Sequence, residues 1–230
     1  MSGGDLFRRA GWMIGEIPRW PLRKIQRKYS SFTMIHPDTY VRNLALVKQF
    51  RHVPGAVVEC GVWKGGMSAG MAEVAGRERP YYLFDSFEGC PQAQAIDGTK
   101  AKAWQADKES PIYYNNSSAD IGFSQEAMRR AGAGNCTITK GWFEKTLPNF
   151  RAAGGIAILR LDGDWYESTL TCLTHLYPQV NRGGVVIIDD YYAFEGCARA
   201  VHDYLSREKL GRRIRQLDND VCYLVVQDEA

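Results

Sequence analysis

Four short, mostly apolar runs rich in β-favouring residues stand out after Pro54, at 56–58, 81–84, 156–161 and 185–188, and none alternates regularly with polar positions. Each ends on an acid, in turn Glu59, Asp85, Asp162 and Asp189. A weaker run, 136–139, precedes Lys140-Gly141. Helical patterns or loops separate the runs. Unalternated strands with helices between them predict an α/β fold built on a mostly parallel sheet covered on both faces. The segment 37–50 opens on Pro37 and sets Val41, Leu44, Ala45 and Val47 at helical spacing, which predicts a helix. Near the end, 212–217, the turn Asp218-Asn219-Asp220 and 221–226 predict a hairpin. Residues 88–124 carry Gly, Pro, Gln, Asn and Ser with little periodicity, and an irregular stretch of that length in an α/β domain reads as a cover over a site.

The first 30 residues follow another rule. Seven basic side chains (Arg8, Arg9, Arg19, Arg23, Lys24, Arg27, Lys28) face only Asp5 and Glu16 there, a net +5 in a chain whose total is +3, so the remaining 200 residues sum to about −2. Leu6, Phe7, Trp12, Met13, Ile14, Ile17, Trp20 and Ile25 are interspersed, and Pro18 and Pro21 break any single long helix. Three readings of this arm stay open: packing on its own body or a subunit partner, a membrane-surface foot, or a wall of the substrate site. The small total charge excludes general nucleic-acid binding. At 230 residues, 45% hydrophobic and 24% charged, the chain suits one large domain with a core that needs no staples, and it is neither disordered nor coiled coil. No stretch approaches the ~20 apolar residues of a spanning helix. The six cysteines (60, 90, 136, 172, 197 and 222) form no CxxC or Cys/His cluster, and Arg8, Arg9 and Glu16 interrupt any signal-peptide run, so a reducing cytoplasm is expected.

In open α/β sheets ligands bind beyond the carboxyl ends of the strands, so the acids that end the runs are the informative residues. One acid there often only caps the next helix; several together carry more. Glu59-Cys60-Gly61-Val62-Trp63-Lys64-Gly65-Gly66 turns a strand into a helix through glycines, but has neither GxGxxG nor GxxxxGK[ST] spacing. A carboxylate at that strand end repels phosphate and favours a cation or hydroxyl. Asp85, 26 residues on, stands where an acid accepts hydrogen bonds from a ribose diol. Together they imply an adenosine-containing cofactor without phosphate and with a positive group, a description S-adenosylmethionine meets. Asp162-Gly163-Asp164 and Asp189-Asp190 would crowd four carboxylates at two neighbouring strand ends, and a hard divalent ion would relieve their repulsion. A metal beside a methyl donor implies O-methylation, with one carboxylate left to take the proton.

With VPGAVVECGVWKGG (53–66), LFDSFEGCP (83–91), GWFEKTLP (141–148), LRLDGDWYEST (159–169), LYPQVNRGGVVIIDDY (176–191) and EGCARAV (195–201), the chain resembles the macrocin O-methyltransferase family over residues 31–226. That resemblance implies a Rossmann-like class I methyltransferase sheet of seven strands with the last antiparallel, S-adenosylmethionine and Mg²⁺ as cofactors, and a homo-oligomer. The chain is expected to comprise an N-terminal arm and helix, 1–50, and a methyltransferase domain, 51–230, with a lid insertion at about 88–124. Glu59 and Gly61 would lie under the methionine and ribose, Asp85 and Ser86 hold the ribose, and Gly141, Trp142 and Phe143 line the adenine. Thr33 and Met34 would close over the cofactor; Asp162, Asp189 and Asp190 would ligate the metal, with Asp162 also beside the cofactor; and Asp164 would be the base. The family's Gly-Gly-Ser after the first strand is Gly66-Met67-Ser68 here, which shifts the serine from the place where it reaches the cofactor carboxylate.

The expected acceptor is a hydroxyl of a sugar or glycosylated natural product, set in a vicinal diol that a cation could chelate. A catechol-type phenolic acceptor, a glycosyltransferase using Asp162-Gly163-Asp164, and a non-catalytic scaffold are the alternatives. His36, His52, His175 and His202 have no ligand spacing and are read as structural, with His202 an outside candidate; Trp165 and Tyr166 are read as packing, and Tyr191 and Tyr192 either pack or line the acceptor site.

Overall fold

In the computed structural model, which describes residues 19–227, all five runs are parallel strands. They are β1 (Ala56–Cys60), β2 (Tyr81–Asp85), β3 (Cys136–Lys140), β4 (Ile156–Leu161) and β5 (Val180–Ile188). The terminal hairpin supplies β6 (Arg215–Gln216) and β7 (Cys222–Val225). Sheet order is β3-β2-β1-β4-β5-β7-β6, with β7 antiparallel to both neighbours. The mostly parallel seven-stranded α/β sheet expected from the sequence is therefore present.

Both faces of the central strands are dry, which explains the lack of alternation along them. Val57, Ile158, Val185 and Ile187 face one core, together with helices α1 (Arg19–Lys28), α2 (Pro37–Phe50) and α3 (Gly66–Ala75). The in-between residues Val58, Leu159, Val186 and Ile188 face a second core, against α6 (Tyr166–Leu176) and α7 (Glu195–Arg207). Between these come α4 (Gly98–Ala106) and α5 (Ile121–Ala131). The helix expected at 37–50 has those bounds; Pro37 takes its first turn, and His36 Nδ1 accepts the Asp38 N–H. Tyr40, Leu44, Leu46 and Val47 are buried, so this helix shares its core with the sheet.

The stretch 88–124 is less irregular than the sequence indicated. It holds a 3-10 turn at Ala95–Asp97 and the nine-residue α4. Its residues, GTKAKAWQA, include strong helix formers, but among them only Ala101 is buried, so no apolar stripe announces the helix. The described part of the arm packs on its own body: Leu22 is buried, and Lys28 and Tyr29 both reach Glu73 on α3, while Trp20 is exposed. Pro21 sits in the first turn of α1, where no helical hydrogen bond is lost. The arm residues Leu6, Phe7, Trp12, Met13, Ile14 and Ile17 lie outside the described residues. Among those described, no helix is long and apolar enough to cross a membrane.

Helices α2 and α3 meet at Gly70, where an added Cβ would lie 2.1 Å from the Tyr40 hydroxyl oxygen. That hydroxyl donates to Gly66 O at 2.7 Å. Alanine for glycine within a helix ordinarily stabilises by about 1 kcal/mol. Here overpacking reverses the sign, and Gly70→Ala is predicted to cost about 2 kcal/mol in urea unfolding, partly recovered in a Tyr40→Phe background. A stabilised Gly70→Ala chain would mean that α2 can draw away from α3.

Candidate active site

Strand order reverses between β1 and β4, which opens a crevice beyond their carboxyl ends. The two strands close on each other there: Asp162 N–H donates to Cys60 O at 2.8 Å, and a Cβ on Gly61 would fall 1.7 Å from Asp162 O. Only glycine fits Gly61, at φ +86°. One strand over, Asp189 N–H donates to Leu161 O at 2.9 Å, so β5 ends level with β4. Carboxylate oxygens of Asp162, Asp189 and Asp190 consequently lie within 4.8 Å of one another. Asp85, at the end of β2, is braced by backbone: Oδ2 accepts Val62 N–H (2.6 Å) and Trp63 N–H (2.8 Å), and Oδ1 accepts Phe87 N–H (2.6 Å). Its carboxylate thus ties the glycine-rich turn after β1 to β2, and of its four lone-pair sites one remains. Burial pushes the Asp85 carboxyl up, and the three amides pull it only part of the way back.

The acids that end the runs do not point to Arg160, the penultimate residue of β4 and wholly buried. Its partner across the ladder is Glu59. Arg160 Nη1 donates to Glu59 Oε1 and to Asp162 Oδ2, both at 2.8 Å, and Nη2 lies 2.7 Å from Asp189 Oδ1, off the angle of a hydrogen bond. Burial alone would drive this guanidinium down; Asp189, Asp162 and Glu59 hold it well above its ordinary value. Even so, burial pushes Glu59 up to about 7 against the pull of Arg160, and likewise Asp189 up to about 7. Asp164 also rises to about 7, from burial and the Asp162 charge, and Asp190 rises well above the carboxylate range from burial and the Asp164 charge. The signal for Arg160 was present: an arginine inside an otherwise apolar strand run must find anionic partners, and it stands two residues, one pleat repeat, before Asp162.

All thirteen site residues named from the sequence line one cavity of about 1060 Å³: Thr33, Met34, Glu59, Gly61, Asp85, Ser86, Gly141, Trp142, Phe143, Asp162, Asp164, Asp189 and Asp190. Met67 lines it too, whereas Ser68 is fully buried and hydrogen-bonded to Glu59 Oε2. The one-residue shift of the serine has turned it from the cavity to the acid beneath. Ser86 donates to Gly89 O (3.0 Å) and accepts Glu88 N–H (3.1 Å), shaping the turn that follows β2. Trp63, Cys90, Lys100 and Trp104, absent from the sequence-based set, also face the cavity. Trp165 is buried against Trp104 and Phe194. Tyr191 hydroxyl and His202 Nε2 meet at 2.8 Å, and neither residue lines the cavity. His36 lines it while capping α2.

The sequence profile of the Macrocin-O-methyltransferase (TylF) family matches residues 31–225. Over 174 residues the chain is 37% identical to an 8-demethyl-8-(2,3-dimethoxy-alpha-L-rhamnosyl)-tetracenomycin-C 4'-O-methyltransferase from Streptomyces olivaceus, covering 72% of this chain and 64% of that one. It is 35% identical over 182 residues to a demethyldecarbamoylnovobiocin O-methyltransferase from Streptomyces niveus, covering 75% and 66%. The match thus spans just under two thirds of the length of these two curated relatives. Among solved structures, the O-methyltransferase NovP superposes with a TM-score of 0.69 at 30% identity, over 86% of this chain and 83% of that one. The calicheamicin methyltransferase CalS11 superposes at 0.68 over 97% and 92%, and at 20% identity that likeness speaks for the fold.

Replacing Arg160 with methionine strands three carboxylates and is predicted to cost about 3–5 kcal/mol near pH 8. Glu59 and Asp189, with folded pKa values raised to about 7, favour folding in their neutral forms. That contribution is complete below about pH 4 and is lost as pH rises through about 7. Without Arg160 the same loss moves to still higher pH and grows. Arg160→Met should therefore cost less at pH 6 than at pH 8 in urea unfolding; equal costs at both would divorce the arginine from these carboxylates.

Proposed function

The chain belongs to the Macrocin-O-methyltransferase (TylF) family, and on that premise we propose that it moves a methyl group from S-adenosylmethionine to a hydroxyl of a sugar or glycosylated natural product, with Mg²⁺ at the acceptor. The observation that carries this reading is the meeting of Asp162, Asp189 and Asp190 within 4.8 Å at one wall of a cavity large enough for cofactor and acceptor together. A glycosylated acceptor comes from kinship: the relatives' names speak of a rhamnosyl tetracenomycin and of a novobiocin precursor.

The donor set fits a hard divalent ion. Arg160 takes one oxygen each from Asp162 and Asp189, and Asp164 N–H takes Asp190 Oδ2 at 3.2 Å, so one oxygen on each ligand is left for a cation. When bound, the cation lowers the pKa of the hydroxyl and the sulfonium supplies the methyl group. The chain's own residues do the rest. Asp164 takes the hydroxyl proton, and a carboxyl with its pKa near 7 suits that work at neutral pH. Asp85 offers its remaining lone pair, beside Ser86, to the ribose. Glu59 and Gly61 lie under the methionine and ribose, Gly141, Trp142 and Phe143 flank the adenine, and Thr33 and Met34 close the cofactor end. The lid, through α4, keeps bulk water from the acceptor. Six unpaired cysteines support a reducing, cytoplasmic setting.

Calorimetric titration of S-adenosylmethionine and S-adenosylhomocysteine, with Mg²⁺ and again with EDTA, tests the cofactor; micromolar binding is expected, and no binding in either condition overturns the reading. Methyl α-L-rhamnopyranoside and catechol are the first acceptors to screen. Asp164→Asn should abolish turnover with S-adenosylhomocysteine affinity nearly unchanged, and near-normal turnover would remove Asp164 from the chemistry. Because the ligand Asp189 holds a proton up to about pH 7, a cation must displace it at lower pH. Saturating Mg²⁺ should raise the Tm by about 5–10 °C at pH 8 and by much less at pH 6. A Tm indifferent to Mg²⁺ at pH 8 would argue against the metal.

A further inference from the structure

Asp164 follows β4 in a left-handed backbone conformation, φ +56°, that a non-glycine residue rarely adopts. Its side chain must therefore be aimed by neighbours, and two segments do this. The Cys90 thiol lies 3.3 Å from Asp164 Oδ2. Next to it, Trp165 Nε1 donates to Pro91 O at 2.8 Å, so residues 90–91 are joined to residues 164–165 at two points. Burial, with the Asp164 charge, pushes the Cys90 thiol well up, which keeps it a protonated donor toward the carboxylate.

What fixes Cys90 is a second strained element. Tyr114, Asn115, Asn116 and Ser117 all have positive φ (+49°, +53°, +58° and +59°), a left-handed turn made without glycine. Asn116 O accepts Cys90 N–H at 2.9 Å, and Asn116 Nδ2 donates to Cys90 O at 2.7 Å, clamping that residue's backbone from both sides. Gln105 on α4 donates to Asn116 Oδ1 (3.0 Å) and to Pro91 O (2.9 Å). The approach is so close that a Cβ on Gly89 would lie 2.3 Å from Asn116 O. At its other end the turn rests on the cofactor side: the Tyr114 and Trp63 rings meet edge to face at 5.8 Å, and Trp63 Nε1 donates to Ser118 O at 3.2 Å.

We propose that Cys90 is a positioning residue for Asp164, its S–H donating to Oδ2 and leaving the other oxygen to the acceptor, and that the turn Tyr114–Ser117 holds Cys90 in place through Asn116. The part played by Asp164 rests on the methyl-transfer reading; the chain of contacts does not. The closed lid thereby aims the base: the same turn that touches Trp63, beside the cofactor, sets the thiol that orients Asp164.

The test uses the full chain loaded with S-adenosylhomocysteine and Mg²⁺. The infrared S–H stretching band of Cys90, identified by its loss in Cys90→Ala, is expected at lower wavenumber than a free thiol, and is expected to move up in Asp164→Asn and in Asn116→Ala. A Cys90 band at the free-thiol position, or one indifferent to Asp164→Asn, overturns the proposal. With methyl α-L-rhamnopyranoside as acceptor, Cys90→Ala should lower kcat about tenfold with the KM for S-adenosylmethionine unchanged, and Cys90→Ser, which keeps an O–H donor, should recover most of the rate. Equal kcat in Cys90→Ala and the parent chain also overturns it. Should the parent chain not methylate this sugar, the S–H band decides alone. Failure of S-adenosylhomocysteine to bind would instead count against methyl transfer, and the band is then read on the chain with Mg²⁺ only.

Discussion

Carboxylates at the ends of β1, β4 and β5 meet at one end of a dry sheet, and Arg160 among them ties the strands to their present register. Its guanidinium touches Glu59 in β1 and Asp162 and Asp189, the residues that directly follow β4 and β5. Removing such a group from water is costly and is offset only when its donors meet anions at good geometry. A slip of one residue along β4 would send Arg160 to the opposite face, between Val58 of β1 and Val186 of β5, with no acid to meet it. The arginine therefore specifies the pairing of β1 with β4 more sharply than the apolar residues around it, any of which would pack nearly as well one register away.

From that pairing the cavity follows. With Glu59 opposite Arg160, Cys60 and Leu161 are opposed, the chains turn together, and Gly61 must give way to Asp162 O. The turn after β1 then comes within reach of Asp85, which collects two of its amides. Ser68, reaching Glu59 from α3, anchors the helix that follows the turn to the same charge cluster. One buried cation thus organises both halves of the site, the neutral-backbone half around Asp85 and the anionic half around Asp190.

Much of this was legible in the sequence, and the rest was hidden for physical reasons. Strand runs were readable because burial on both faces strips them of polar residues, and their acidic ends marked the site because α/β sheets open there. Arg160 was masked by the same logic, counted into an apolar run because its neighbours are apolar. Helix α4 was missed since helical propensity without an apolar face leaves no periodic mark. Ser68 stood one position from its expected place, and only the packing of α3 against β1 reveals that it meets Glu59 rather than the cavity. Cys90 belongs to no cysteine cluster that would mark it out; its contact with Asp164 is set by a left-handed turn 24 residues further on, which no local pattern encodes.

Arg160 also explains why the cluster has room for a second cation and why that one would be exchangeable. The guanidinium is fixed to the sheet, taking a single oxygen from each of Asp162 and Asp189. Glu59, Asp162, Asp164, Asp189 and Asp190 together carry far more negative charge than one guanidinium can balance, and the upward displacement of Glu59, Asp164, Asp189 and Asp190 means that protons make up part of the difference near neutrality. Protons on the cavity side are replaceable, whereas the arginine beneath is not. A divalent ion entering from the cavity would displace protons without disturbing the pairing of β1 with β4, so the register of the fold and the occupancy of the site would answer to two different cations.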